Sequence, residues 1–203
     1  MAYRTTARMA ERKKEQRAHL LQTAIGLFGK HGYHATTVPM IVAASGLSTG
    51  AFYFYFRSKE DVFAAALERF GERIAAALNE AIEAAPPSVS KRMSAACERL
   101  ISFMAENPDE ARIWVVETSG QSERLEKIRR EIVDTHAKAV QVAVAILRPD
   151  LDAPVAARCW IGAVHETVHH WLSLPPAKRP APGRVSRAVA DFNLRGIGAP
   201  TGE

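Results

Sequence analysis

The chain has 203 residues, 47% of them hydrophobic, enough for one small module and one ordinary domain with a filled core. It has no apolar run of membrane-spanning length, and no apolar stretch follows the basic start; the expectation is a cytoplasmic protein with no membrane partner. Residues 1–60 carry nine Lys/Arg against three acids, and the remainder eighteen against nineteen, so the positive charge is concentrated at one end, the footprint expected of a polyanion-binding head on a neutral body.

Glycine and proline cut the chain into helix-length pieces, and period-two strand signals are nearly absent, so the fold class is all-α. From about Arg12 to His31, Leu20, Leu21, Ala24, Ile25 and Phe28 recur at helical spacing, and Gly32 stops the helix. Thr36 or Thr37 caps a short second helix that has Pro39 in its first turn, carries Ile41, Val42 and Ala44, and ends at Gly46. Ser48 caps a third through Phe56, and Ser58 with Asp61 starts a long fourth that runs to Ala85, before Pro86-Pro87. Further helices are expected at Val89 to Glu106, Pro108 to Thr118, Glu123 to Leu147, Ala153 to Leu174 and Arg184 to Arg195. Alternation in Val140, Val142, Val144 and Ile146 suggests a strand, but Leu125, Ile128, Ile132, His136 and Val140 keep helical period, which favours one continuous helix. Pro175 to Gly183, with four prolines, is expected to be a surface loop. Cys97 and Cys159, far apart and in no C-x-x-C pattern, are expected to be reduced core thiols.

Two short helices joined through Ala44-Ser45-Gly46-Leu47, behind a longer helix, are what a helix-turn-helix requires, with Ile41, Val42, Leu47 and Phe52 turned inward. The run Ser48, Thr49, Gly50, Ala51, Phe52, Tyr53, Phe54, Tyr55, Phe56, Arg57, Ser58, Lys59, Glu60 resembles the DNA-reading segment of the TetR (TetR/AcrR-type) family of transcriptional regulators. Ala24 to Gly32 and Thr36-Thr37-Val38 extend the resemblance over roughly residues 13 to 75. It implies a three-helix DNA-binding domain at 13–75, with the motif at about 38–57, and a larger ligand-binding and dimerisation domain at 76–203.

The first turn of the third helix independently offers hydroxyls and free backbone amides with little bulk, so it can approach a duplex closely. By resemblance Thr49, Gly50, Ala51, Tyr53, Phe54 and Tyr55 face the major groove or its flanking phosphates, with Ser48 at the cap, while Phe52 and Phe56 enter the small core. Thr37 and Lys59 are expected to grip phosphates on either side. The recognition helix has no Arg, Lys, Asn or Gln to read bases bidentately, which points to van der Waals contact, water and DNA shape as sources of specificity. The arm from Arg4 through Arg17 is expected to be disordered ahead of the first helix, free to enter the minor groove or lie along phosphates.

In the second half, His165-Glu166-Thr167-Val168-His169 is a literal H-E-x-x-H, the spacing of a zinc hydrolase. The metzincin continuation would need Gly at 172 and His at 175, where this chain has Leu172 and Pro175. The histidines are also expected opposite Trp160, Val164 and Trp171, so neither metal nor catalytic residues are assigned, and a polar face near a dimer contact is preferred. The helix from Ala153 is apolar over most of its circumference and is expected to be central. The family resemblance implies that the last two helices, with Val185, Ala188, Val189 and Phe192 on the final one, pair with those of a second copy. It also implies a pocket for a small apolar effector. Candidate walls are Met93, Cys97, Leu100, Phe103, Met104, Trp114, Ile132, His136, Trp160, Val164 and Trp171, with Glu117 and His136 as polar contacts. The function expected is a ligand-responsive repressor that binds a palindromic double-stranded operator as a homodimer, without a cofactor. The rivals are the zinc hydrolase and a helical protein-interaction adaptor.

Overall fold

The computed structural model describes the backbone of residues 2–117 and 120–199, and side chains from residue 8. Every regular element among them is helical: α1 (Ala2–Ala35), α2 (Val38–Ser45), α3 (Thr49–Tyr55), α4 (Lys59–Ala84), α5 (Val89–Glu106), α6 (Pro108–Arg112), α7 (Glu123–Leu147), α8 (Ala153–Ser173) and α9 (Pro182–Gly196). A π-helical turn, Ile113–Glu117, continues α6, and a single 3₁₀ turn, Pro176–Lys178, lies in the proline-rich loop.

Local chemistry explains most of the boundaries. Thr37, Ser48, Ser58, Ser122 and Asp152 cap α2, α3, α4, α7 and α8, each accepting from the backbone N–H three residues on. Gly32 breaks the helical path of α1 with φ 82°, a conformation glycine adopts without steric cost. Val140–Ile146 is helical, as its longer periodicity requires.

Three expectations are corrected. The N-terminal arm is helical: α1 starts at Ala2, and Lys13, Gln16 and Arg17 all find partners on the recognition helix or just beyond it. The helix expected over Pro108 to Thr118 widens into the π turn after Arg112, and Thr118 lies outside the described residues. Cys159 is exposed on α8, whereas Cys97 is buried and its thiol is pushed up to about 12, first by burial and then by Glu98.

The core runs without a break from the N-terminal helices into the body. Near its start α4 buries Val62 and Phe63, and the Phe63 ring meets Phe28 and Tyr33 of α1 edge-on. Further along, Phe70 packs on Phe103 of α5 and Trp114 of the π turn. Behind these, α5 packs against α4 and α9, and α7 against α8. No single helix among the described residues is long and apolar enough to cross a membrane.

Candidate nucleic-acid interface and interior cavity

α2 and α3 meet at a bend of 108°, the angle of a helix-turn-helix. The turn depends on Gly46 at φ 67°, and it is tied down at Ser45, whose Oγ donates to the Val42 carbonyl and accepts from Leu47 N–H. His19 Nε2 of α1 meets the Ser45 carbonyl at 3.0 Å, so the long first helix holds the turn from behind. Ile41, Phe52 and Phe56 are buried and fix the pose of α3.

What α3 leaves outside is unusual for aromatic side chains. Tyr53 is 54% exposed and Phe54 65%, and Ser48, Thr49 and Gly50 lie open at the helix start beside half-buried Ala51. Thr37, also exposed, spends its hydroxyl capping α2. Basic side chains of α1 border this face: the Lys13 ammonium lies 5.2 Å from the Phe54 ring centroid and the Arg17 guanidinium 5.0 Å from that of Phe56. The sequence places this basic run in DNA contact as part of a disordered arm from Arg4 through Arg17; what it does not reveal is the helix that sets Lys13, Gln16 and Arg17 against α3 and Phe56.

Two expected phosphate contacts are placed differently. Tyr55 is half-buried and its hydroxyl donates to Gln16 Oε1 at 2.9 Å, tying α3 to α1. Lys59 turns back to the end of α1, donating to the carbonyls of Tyr33 (2.7 Å) and His34 (3.4 Å) with its ammonium over the Tyr33 ring. A cation at unsatisfied terminal carbonyls compensates the negative helix end, and burial lowers the Lys59 pKa.

A second feature lies in the body, a cavity of about 400 Å³ between α4, α5, α7, α8 and the π turn. Trp114, His136, Trp160 and Val164 line it, together with Met93, Cys97, Leu100 and Met104. The structure adds His165 and, at the rim, exposed Arg92, Val142 and Ile146. His165 thus shares this wall with Trp160 and Val164, which corrects its expected place on the opposite side of α8.

Phe103, Glu117, Trp171 and Ile132 do not line the cavity. The Phe103 ring centroid lies 5.1 Å from the Arg73 guanidinium and 5.3 Å from that of Arg99. Glu117 pairs with Arg112 at 3.4 Å and accepts the Tyr33 backbone N–H at 3.1 Å. The Trp171 indole donates to the Pro180 carbonyl at 2.9 Å, under the Arg179 guanidinium. Ile132 packs so closely on Gly71 that a Cβ there would lie 2.7 Å from its Cδ1. Among the described residues no three His, Cys, Asp or Glu side chains are grouped to hold a metal, so the H-E-x-x-H run lacks a third ligand.

A bent helix pair with an exposed aromatic tip and a basic border, carried on a helical body, defines a helix-turn-helix DNA-binding protein. Residues 20–66, which span the helix-turn-helix, match the family model described as "Bacterial regulatory proteins, tetR family". The chain is 28% identical over 177 residues to the uncharacterized HTH-type transcriptional regulator YdgC of Bacillus subtilis, an alignment covering 85% of this chain and 89% of that one. In fold it is similar to the fatty acid degradation regulator FadR from Bacillus halodurans (TM-score 0.81, 18% identity, 91% and 97% of the two chains). It is also similar to FadR from Bacillus subtilis, solved in complex with stearoyl-CoA (TM-score 0.78, 19% identity, 88% and 98%).

Proposed function

We propose that the chain is a ligand-responsive repressor, acting in the cytoplasm as a homodimer on a palindromic operator, with a DNA-binding domain at 13–75 and a regulatory domain at 76–203. The observation that carries the reading is the outward-turned Tyr53 and Phe54 on a recognition helix whose Phe52 and Phe56 are buried. Aromatic rings left in water at a helix tip, between a hydroxyl-rich helix start and the basic flank of α1, suit contact with thymine methyls and phosphates. Thr37, Ser48, Thr49, Gly50 and Ala51 contribute through hydroxyls, backbone amides and lack of bulk. Tyr55 and Lys59 serve mainly by fixing α3 and the end of α1.

Dimerisation supplies the second recognition helix that a palindrome needs. The face offered is that of α8 and α9, where Val155 and Phe192 are 57% and 67% exposed and Ala188 is open. A groove beside them, walled by Thr167, Trp171, Val185 and Phe192, suits a second copy of the same helices.

The cavity supplies the regulatory input. Its apolar walls fit a hydrocarbon effector, and Arg92 at the rim suits an anionic portion left in water. The stearoyl-CoA bound by the fold neighbour makes long-chain acyl thioesters the first class to try. The test is a mobility-shift and footprinting assay on the DNA upstream of the chain's own gene, repeated with stearoyl-CoA. A protected palindrome released by the thioester is expected. Absence of sequence-preferring, salt-sensitive DNA binding refutes the proposal.

A further inference from the structure

Two opposite charges stand on the otherwise mostly apolar groove between α8 and α9: Glu166 on the α8 wall and Arg184 on the α9 wall. The hydroxyl of Thr167 is spent on the Ala163 carbonyl at 2.7 Å, and the Trp171 indole on Pro180. Among the described residues, the exposed side chains of Glu166 and Arg184 have no ion-pair or hydrogen-bond partner, in each other or elsewhere. The two helices run antiparallel: Asn193 Nδ2 donates to the Trp160 carbonyl at 3.4 Å near one end, and Trp171 Nε1 to the Pro180 carbonyl at 2.9 Å near the other. Counting inward from these two ties sets Arg184 level with Thr167, one residue from Glu166 on the opposite wall. Phe192 comes level with Ile161, next to Gly162, which is exposed and has no other part of the chain within 4 Å of where a Cβ would stand.

A second copy seated on this face is related to the first by a two-fold axis lying in the plane of contact. An axis across the helices lays α8 on α8 and α9 on α9. Glu166 and Arg184 both stand near the middle of the groove, so each then meets its own kind, which opposes association. An axis along the groove exchanges the two walls without changing level. Glu166 then meets the partner's Arg184, and the partner's Phe192 arrives over Gly162 and Ala163, where bulk meets the smallest side chains of the face. Charge and shape thus select the same register. We propose that two copies pair about an axis along this groove, α8 of each on α9 of the other, and that two symmetry-related Glu166–Arg184 ion pairs specify partner and register. The proposal rests on the α8–α9 face being the dimer contact and narrows it to one arrangement.

The test is a charge swap in the full chain, read by sedimentation and native mass spectrometry. Glu166→Arg and Arg184→Glu each set two like-charge pairs across the contact, and the dissociation constant of each homodimer is expected to rise at least about a hundredfold. An equimolar mixture of the two variants restores both pairs, so a one-to-one heterodimer within about tenfold of the wild-type constant is expected. An ion pair confined to one chain would be broken in each variant and not mended by mixing. Gly162→Leu, which fills the space left for the partner's Phe192, is expected to weaken the dimer at least about tenfold. Should a single variant not fold by itself, the two are refolded together and the heterodimer decides. Single reversals that dimerise within about tenfold of wild type, a mixture without heterodimer, or undiminished pairing of Gly162→Leu overturns the arrangement and leaves dimerisation itself standing. A wild type that is monomeric at every concentration removes the dimer reading and the ion pairs with it.

Discussion

Replacing Glu110 with alanine tests whether the seam between the DNA-binding helices and the body is held electrostatically. The Glu110 carboxylate, 7% exposed, accepts from Arg69 Nη2 at 2.8 Å and from Arg73 Nη1. Arg69 also donates to Gln22 of α1 and Arg73 to Asn107, both at 2.7 Å, so one acid joins α1, α4 and α6. Hydrogen bonds to charged groups contribute about 1.5–3 kcal/mol each. The arginine side chains are 28% and 40% exposed and can rehydrate, so the lower end applies and Glu110→Ala costs about 3 kcal/mol in all. For a chain of this size that corresponds to a fall in Tm of roughly 6–12 °C, read by calorimetry at fixed protein concentration. In a double-mutant cycle, Arg73→Ala in the Glu110→Ala background should cost about 1 kcal/mol less than in the wild type. A fall below about 2 °C, or additive costs, would refute the account.

Tyr53→Ala and Phe54→Ala should each weaken binding to a selected operator about tenfold in fluorescence anisotropy while moving Tm by less than about 2 °C, because both side chains are more than half exposed. Lys59→Ala should lower Tm by roughly 2–6 °C through the loss of its bonds to the end of α1; a flattened salt dependence with Tm unmoved would instead identify a phosphate contact. Acidification should selectively destabilise the fold through its two cavity histidines. Their folded pKa values lie below the ordinary 6.5, so the unfolded chain takes up protons first and stability falls as pH drops below about 6.5. A His136→Leu/His165→Leu variant should therefore lose less Tm than wild type between pH 7.5 and 5.5, and equal losses would contradict the assignment.

Helix limits were legible where capping chemistry and period agree. Ser58 with Asp61 announced α4 in the residues themselves, while α7 and α8 were placed by period and the structure adds their caps, Ser122 and Asp152. The π turn was not, because a single widened turn hardly disturbs a 3.6-residue period and its cause lies outside it, in contacts with α1, α4 and α8. The same division holds at the candidate sites. Trp114, His136, Trp160 and Val164 were among the pocket walls implied by the family resemblance, and all four line the cavity. Glu117 and Lys59 carry no periodic signature, and their partners are 84 and 26 residues away, so only the folded chain brings them to the end of α1. His165 was masked by the motif around it: one-dimensional spacing suggests two ligands one turn apart, while the fold turns the first toward the cavity and leaves the second exposed.

The placement of Glu117 and Lys59 bears on how a cavity could govern a surface far from it. A ligand changes DNA affinity only if it binds two arrangements of the chain unequally, so some element must touch both cavity and head. Helix α4 does so through Phe70, packed on Trp114, and Phe63, packed on Phe28 and Tyr33. The π turn does so over a shorter path: within five residues it presents Trp114 to the cavity and Glu117 to the Tyr33 amide, where Lys59 grips the carbonyl of the same residue. A ligand that moves Trp114 thus pulls on α1 and α4 together. Contact at Gly32, where even a Cβ would stand 2.9 Å from Glu117 Oε2, leaves the carboxylate little room to yield without moving the end of α1. Under the proposed reading, the recognition helix is repositioned from both of its supports, the helix behind it and the helix after it.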